Sequence, residues 1–221
     1  MTVYVSGIEG APSVYASMYA EVGDAVLARC SDLGCPGFNL VSVTGLDWNR
    51  NLSPWPADSV MTEDDGFAGG ADAYAEFLTD EVIPYAEGIL GDGDRVVAGY
   101  SMGGLFAMYA PYATDAFSAC VSASGSLWYP GFVDFVESHG YRRTPRSVYL
   151  SLGRREHRTP NPVMRTVDDC TSRIRDLCES RGIDTVFEIN PGNHFVDGEL
   201  RLAKGIAWTL SRRRPHYVEA R

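Results

Sequence analysis

Residues 95–109 read RVVAGYSMGGLFAMY, and this stretch predicts both the fold and the chemistry. An apolar strand over 95–98 leads into Gly-Tyr-Ser-Met-Gly-Gly at 99–104, and helical spacing follows over 103–109. A serine at such a sharp strand-to-helix turn has a strained backbone, and its small neighbours let the strand and the helix pack closely. The N-terminus of the helix then stabilises developing negative charge. The pattern predicts a nucleophile at Ser101; a glycine-rich packing turn is the alternative.

The rest of the chain alternates between predicted strands and predicted helices. The predicted strands are 3–5, 38–43, 95–98, 117–123, 147–152 and 185–189, and the predicted helices are 13–30, 71–89, 103–109, 131–138, 161–182 and 197–211. Short apolar strands that alternate with helices imply a mostly parallel sheet with helices on both faces. We therefore expect an α/β fold, with one domain over 1–211 and a basic tail over 212–221.

Composition narrows the class of protein. Of 221 residues, 45% are hydrophobic and 22% are charged, which are ordinary values for a soluble globular domain and exclude wholesale disorder, collagen and coiled coil. No apolar run is long enough to span a membrane, and the N-terminus resembles a strand rather than a signal peptide. The five cysteines are interpreted as reduced thiols, so a cytoplasmic protein is expected.

The charge is unevenly distributed along the chain. The net charge is −10, and residues 1–94 carry two arginines against sixteen acids. An acidic chain repels a phosphate backbone, which argues against nucleic acid as a partner. The acidic half is interpreted as a solvated face, with a homodimer face as the alternative.

A serine hydroxyl needs a base, and His194 is the best candidate of the four histidines. It follows the last predicted strand, and loops at the carboxyl ends of strands line the ligand crevice of an open α/β sheet. An acid should orient its imidazole, in the chain order Ser, acid, His. Glu156 after strand 147–152 is the preferred acid; Asp134 and Asp184 are the rivals.

Acyl transfer also needs amide donors for an oxyanion. One is expected from Met102, the residue after the nucleophile, and the other from the loop after the first parallel strand. Taking 3–5 as that strand, we assign the second amide to Ile8, with the loop at 46–49 as the competing source. The segment 44–70, rich in Trp, Pro, Asp and Gly, has the length of a functional loop or a lid.

Several motifs resemble the putative-esterase branch of the α/β-hydrolase superfamily, which includes S-formylglutathione hydrolase and the enterobactin-type siderophore esterases. The resemblance covers about residues 3–210, and its motifs are the segments 99–107, 124–128, 151–153 with Glu156, 192–195, 47–49 and 53–55. It implies an α/β-hydrolase fold and a serine esterase for small-molecule esters. In that reading Ser101 attacks the ester, His194 moves the proton, and the amides of Met102 and Ile8 hold the oxyanion. The expected pocket residues are Asp47, Trp48, Trp55, Tyr100 and Trp128.

Three other functions remain open at this point. An acyltransferase would use the same residues, a peptidase or amidase would differ in its substrate, and a non-catalytic binding protein would keep only the fold. No metal or organic cofactor is expected for the esterase reaction.

Overall fold

A seven-stranded sheet forms the centre of the molecule in a computed structural model, which describes residues 1–60 and 66–212. The strand order is β1-β3-β2-β6-β7-β8-β9. β1 pairs antiparallel with β3, and all the other neighbours are parallel. The strands are β1 (Thr2–Ser6), β2 (Ser13–Ser17), β3 (Asn39–Thr44), β6 (Arg95–Tyr100), β7 (Ala119–Ala123), β8 (Ser147–Gly153) and β9 (Asp184–Asn190), while β4 (Pro56–Ala57) and β5 (Phe67–Ala68) form a separate hairpin pair.

Helices cover both faces of the sheet, as the alternation predicts. They are α1 (Val22–Asp32), α2 (Trp48–Asn51), α3 (Ala71–Phe77), α4 (Ile83–Leu90), α5 (Met102–Ala113), α6 (Phe132–Ser138), α7 (Val167–Ser180) and α8 (Gly198–Ser211). The sheet has an apolar core on each face, and successive residues of β6 contribute to opposite ones. Val96 packs with α1 and α8 on one face, and Val97 packs with α5 and its neighbours on the other. A strand buried on both faces is apolar throughout, which explains the short apolar runs in the sequence. The architecture is an α/β fold with a mostly parallel central sheet and helices on both faces, so the predicted fold class is confirmed.

The prediction of one helix over 13–30 is wrong. Residues Ser13–Ser17 form β2, which is buried at every position, and α1 begins only at Val22. The misreading has a physical reason. Val14 and Met18 are four residues apart and lie in line with Val22, so a fully buried strand followed by a helix imitates helical spacing.

The other predicted helices differ less from the observed ones. The predicted helix over 71–89 is present as α3 and α4 joined by a π-helical turn at Leu78–Val82. The helix expected from Asn161 begins at Val167, after a 3₁₀ turn. Asn161 does cap that turn, because its Oδ1 accepts from the amides of Val163 and Met164 at 2.9 and 3.1 Å.

Segment 44–70 contains α2 and the β4–β5 pair, and its residues 61–65 lie outside the described part of the chain. Its role as a lid stays a prediction. Residues 213–221 of the basic tail also lie outside the described part, and the single domain over 1–211 stays a prediction. Within the described residues, none of the helices has the length and hydropathy of a membrane span.

Candidate active site

Ser101 occupies the turn between β6 and α5. Its φ is +57°, a left-handed conformation that a serine adopts only under constraint. Two glycines make the turn feasible. A Cβ on Gly99 would overlap the backbone of Gly103, and a Cβ on Gly103 would lie 3.1 Å from the carbonyl oxygen of Ser17. The Ser101 amide donates to the Ala123 carbonyl at 3.1 Å, which attaches the turn to the neighbouring strand β7.

His194 lies beside this serine, in the loop between β9 and α8. Its Nε2 is 3.1 Å from Ser101 Oγ, and its Nδ1 is 2.9 Å from Oε2 of Glu156. The Tyr100 hydroxyl donates to the His194 carbonyl oxygen, so the residue before the serine holds the backbone of the histidine. The three side chains therefore form one continuous line of hydrogen bonds from hydroxyl to carboxylate.

Glu156 follows β8, and its side chain is 4% exposed. Its Oε1 accepts from the Gly153 amide at 2.5 Å and from Ser124 Oγ at 2.8 Å. Burial by itself would raise the pKa of Glu156, but the hydrogen bonds from His194, Gly153 and Ser124 outweigh it and hold that pKa below its usual value. The rivals lie elsewhere, with Asp134 in the first turn of α6 and Asp184 at the start of β9, the opposite end of the sheet.

Arg201 is the residue of this site that the sequence analysis missed. It lies on α8, its side chain is 1% exposed, and its Nη1 donates to Oε1 of Glu156 at 2.8 Å. Its Nη2 donates to the carbonyl oxygens of Pro191 and Asn193 at 2.9 and 2.8 Å. One guanidinium therefore joins the carboxylate to the loop that carries His194. The available signal was an arginine between two leucines, Leu200 and Leu202, in a predicted helix, since a buried charge requires a charged partner.

The assignment of an oxyanion amide to Ile8 is wrong. β1 is an antiparallel edge strand, so the residues after it lie at the amino ends of the parallel strands. The Ile8 amide donates to Asn39 Oδ1 at 2.6 Å, and Asn39 is the first residue of β3. Ser101 lies at the opposite edge of the sheet. The first parallel strand is β2, and the loop after it begins at Met18 and Tyr19.

A cavity of about 340 Å³ opens beside Ser101. Two of the five expected pocket residues, Trp48 and Tyr100, line it. Trp48 stacks on Tyr19, with ring centroids 4.7 Å apart. The other lining residues are Ser17, Met18, Val22, Ser101, His194, Phe195, Asp197, Gly198, Glu199 and Leu202.

The remaining three expected pocket residues do not line this cavity. Asp47 caps α2 by accepting from the Arg50 amide. Trp55 packs against Tyr129, and its indole N–H donates to the Pro130 carbonyl at 3.0 Å. Trp128 lies near Phe67 at the edge of the core. Aromatic residues in a Pro-rich loop fill a core as readily as a pocket, so composition alone could not separate the two roles.

Among residues 1–60 and 66–212, no group of three or more His, Cys, Asp or Glu side chains is arranged to hold a metal ion. The five cysteines are free thiols. The expectation that the reaction needs no cofactor stays a prediction.

The chain is similar to a known protein family and to a curated relative. A family model described as Putative esterase matches residues 38–195. The chain is 23% identical over 188 residues to the uncharacterized protein YbbA of Bacillus subtilis, covering 81% of this chain and 75% of that protein.

Solved structures with the same fold include three hydrolases. An IroE-like serine hydrolase from Shewanella oneidensis has a TM-score of 0.76 and 19% identity, over 93% of this chain and 74% of that one. The siderophore hydrolase EstA from Aspergillus nidulans has a TM-score of 0.71 and 18% identity, over 95% and 89%. The enterobactin esterase FES from Shigella flexneri has a TM-score of 0.73 and 17% identity over 95% of this chain, which spans only 55% of that protein.

Proposed function

The chain belongs to the putative esterase family and is a carboxylic ester hydrolase of the α/β-hydrolase fold, and from that premise we propose that it cleaves small-molecule esters through an acyl-enzyme on Ser101. The observation that carries the proposal is the line of hydrogen bonds from Ser101 through His194 to Glu156, at 3.1 and 2.9 Å. A hydroxyl, an imidazole and a carboxylate in that order form the arrangement that makes serine nucleophilic.

The reaction begins when Ser101 Oγ attacks the ester carbonyl and His194 Nε2 accepts its proton. Glu156 holds the opposite ring nitrogen and stabilises the imidazolium that forms. His194 then donates the proton to the leaving alcohol. In the second half of the reaction, water attacks the acyl-enzyme, His194 accepts the proton of the water, and Ser101 Oγ leaves with that proton as the acid is released. Arg201 acts through Glu156 as a positioning residue, because it fixes both the carboxylate and the loop of the histidine.

The oxyanion is assigned to two backbone amides. The first is that of Met102, which opens α5 and therefore has no intrahelical acceptor. The second is that of Tyr19 in the loop after β2, which lines the cavity at Ser101. Met18 is the less suitable donor because its amide already donates to the Val43 carbonyl at 3.1 Å. Donors fixed before the reaction stabilise the charge that develops on the carbonyl oxygen.

The test is labelling with a fluorophosphonate probe, with turnover of p-nitrophenyl acetate and butyrate measured in parallel. We expect wild type to be labelled and active, and Ser101→Ala to lose both labelling and turnover. Ser126→Ala is the matched control, because Ser126 Oγ lies 3.5 Å from Ser101 Oγ and is the neighbouring hydroxyl. Labelling that survives in Ser101→Ala would overturn the assignment.

Product analysis separates hydrolysis from acyl transfer. With an added acceptor alcohol, a hydrolase releases mainly the free acid, whereas a transferase forms the new ester. Because solved structures of the same fold include a siderophore hydrolase and an enterobactin esterase, enterobactin is a sensible additional substrate for this assay.

A further inference from the structure

The cavity beside Ser101 carries negative charge at one end. Asp197 and Glu199 line it at the start of α8, and neither makes an ion pair with any residue in the described part of the chain. None of the described residues that line the cavity is a lysine or an arginine. Arg201 is the nearest arginine along α8, and its charge is matched by Glu156. The site therefore presents two carboxylates, and no lysine or arginine among the described lining residues offsets them.

Helix dipoles reduce this charge without cancelling it. The N-termini of α5 and α8 both reach the cavity, and each contributes about half a positive charge. Two full negative charges against about one positive charge leave a net charge of about −1. An ester that carries an anionic group would be repelled there, and one that carries a cation would be attracted.

Four aromatic side chains also line the cavity. Trp48 and Tyr19 stack on each other, Tyr100 lies next to Ser101 in the chain, and Phe195 is 90% exposed. Aromatic faces combined with nearby carboxylates suit an alkylated ammonium group, which is attracted by the ring quadrupole and needs no hydrogen bond. The side chain of a lysine-like primary amine would also fit the charge but would lose more hydration.

We propose that this site prefers esters bearing a quaternary ammonium group over neutral and anionic esters of the same shape, with Asp197 and Glu199 as the residues that set the preference. The inference rests on the proposed function, because it concerns the substrate of the same Ser101. For an ester of choline, Ser101 Oγ bonds to the acyl carbon as the bond from that carbon to the choline oxygen breaks. His194 donates the proton to that oxygen, and water then hydrolyses the acyl-enzyme to the free acid.

Asp197 has an unusual backbone conformation, which supports a role for its carboxylate in the cavity. Its φ is +53°, the left-handed conformation, and its side chain does not cap α8 although it occupies the capping position. A helix start of this kind is more stable with a capping bond, so the free carboxylate is costly unless it has another role. Asparagine also tolerates this conformation, so Asp197→Asn removes the charge while keeping the backbone.

The experiment compares three acetate esters that differ in one group: acetylcholine (the ester choline acetate), its uncharged isostere 3,3-dimethylbutyl acetate, and the anionic 2-sulfoethyl acetate. Each kcat/KM is divided by the rate of alkaline hydrolysis of the same ester, which removes differences in intrinsic reactivity. At low salt we expect choline acetate to exceed the isostere by about tenfold, and the sulfonate to fall below it. The preference should shrink at high salt.

Variants decide whether the two carboxylates are responsible. Glu199→Gln, Asp197→Asn and the double variant should lower the ratio of choline acetate to isostere stepwise, to about one in the double variant. Asp169→Asn, an exposed acid on α7, makes the same change in net charge away from the cavity and should leave the ratio unchanged. Because each readout is a ratio within one variant, a general loss of activity does not alter it.

The outcomes separate this inference from the proposed function. Equal normalised rates for the three esters in an enzyme that depends on Ser101 would overturn the inference and leave the esterase mechanism intact. A ratio that persists in the double variant would also overturn it. Turnover that survives in Ser101→Ala would instead overturn the mechanism.

Discussion

At the scale of single residues, Arg201 shows how much one buried charge can organise. Its guanidinium contacts Glu156, Ser124 and two carbonyl oxygens of the histidine loop. A buried ion pair contributes little net stability compared with a packed apolar pair, but removal of one partner leaves the other charge unpaired. Its value here is therefore geometric, since it fixes where the carboxylate and the loop lie relative to each other.

Replacement of Arg201 tests this role. Arg201→Leu should lower the free energy of unfolding by about 3–5 kcal/mol, because Glu156 then stays buried without a cation. Arg201→Lys keeps the charge but cannot hold Glu156 and both carbonyls together, so we expect a smaller loss of stability and a lower kcat with a nearly unchanged KM. Urea unfolding and steady-state kinetics measure the two effects. Wild-type kcat in a folded Arg201→Leu would contradict the positioning role.

The ionisation of Glu156 links stability to pH. Its pKa in the folded state lies below the ordinary value of 4.5, so the ionised carboxylate stabilises the fold above that value. This contribution is lost as pH falls through the folded-state pKa. We expect Glu156→Gln to be less stable than wild type at pH 7, with a difference that shrinks as pH falls below about 4.5.

Urea unfolding over this pH range is the measurement. Glu179→Gln, an exposed glutamate at the end of α7, provides the control for the loss of one charge. A stability difference for Glu156→Gln that stays constant over the whole range would mean that the carboxylate is not held in its ionised form by the fold.

At the scale of elements, the sequence was sufficient where local chemistry determines the structure. The Ser101 turn is set by Gly99 and Gly103, whose missing side chains are required by direct contact between the strand and the helix. Prediction from the sequence failed where the structure of an element depends on neighbours that are distant in the sequence. That β1 runs antiparallel at the sheet edge follows from its pairing with β3 and not from its own residues. The Ile8 assignment failed for that reason, and so did the helix at residues 13–17.

Two helical glycines offer a matched test of how closely each helix packs. In α8, a Cβ on Gly205 would overlap Val121 and approach Tyr149, both of which are on the sheet beneath it. Gly205→Ala should therefore destabilise the fold by about 1–3 kcal/mol. In α4, a Cβ on Gly88 would meet nothing within 4 Å, and Gly88→Ala should stabilise by up to about 1 kcal/mol. Thermal unfolding of both variants checks the opposite signs; equal shifts would contradict the close packing of α8.

At the scale of the whole molecule, the charge distribution affects stability. Residues 1–94 carry a net charge of −14, and the remainder carries +4. Repulsion among like charges opposes the compact state, and salt screens it. We expect the melting temperature to rise by a few degrees between about 10 and 200 mM sodium chloride, since the Debye length falls over that range from about 30 to below 10 Å. A melting temperature that falls with salt would show that favourable ion pairs dominate instead.

The position of Arg201 and His194 in the chain also has a consequence for synthesis. The ribosome makes Ser101 and its turn long before it makes the loop at 190–197 and the last helix. Until α8 docks against α1 and the sheet, Glu156 lacks its guanidinium and the serine lacks its base. A nascent chain therefore carries the proposed nucleophile in an inactive state, and hydrolytic activity should appear only once α8 has left the exit tunnel and folded onto the sheet.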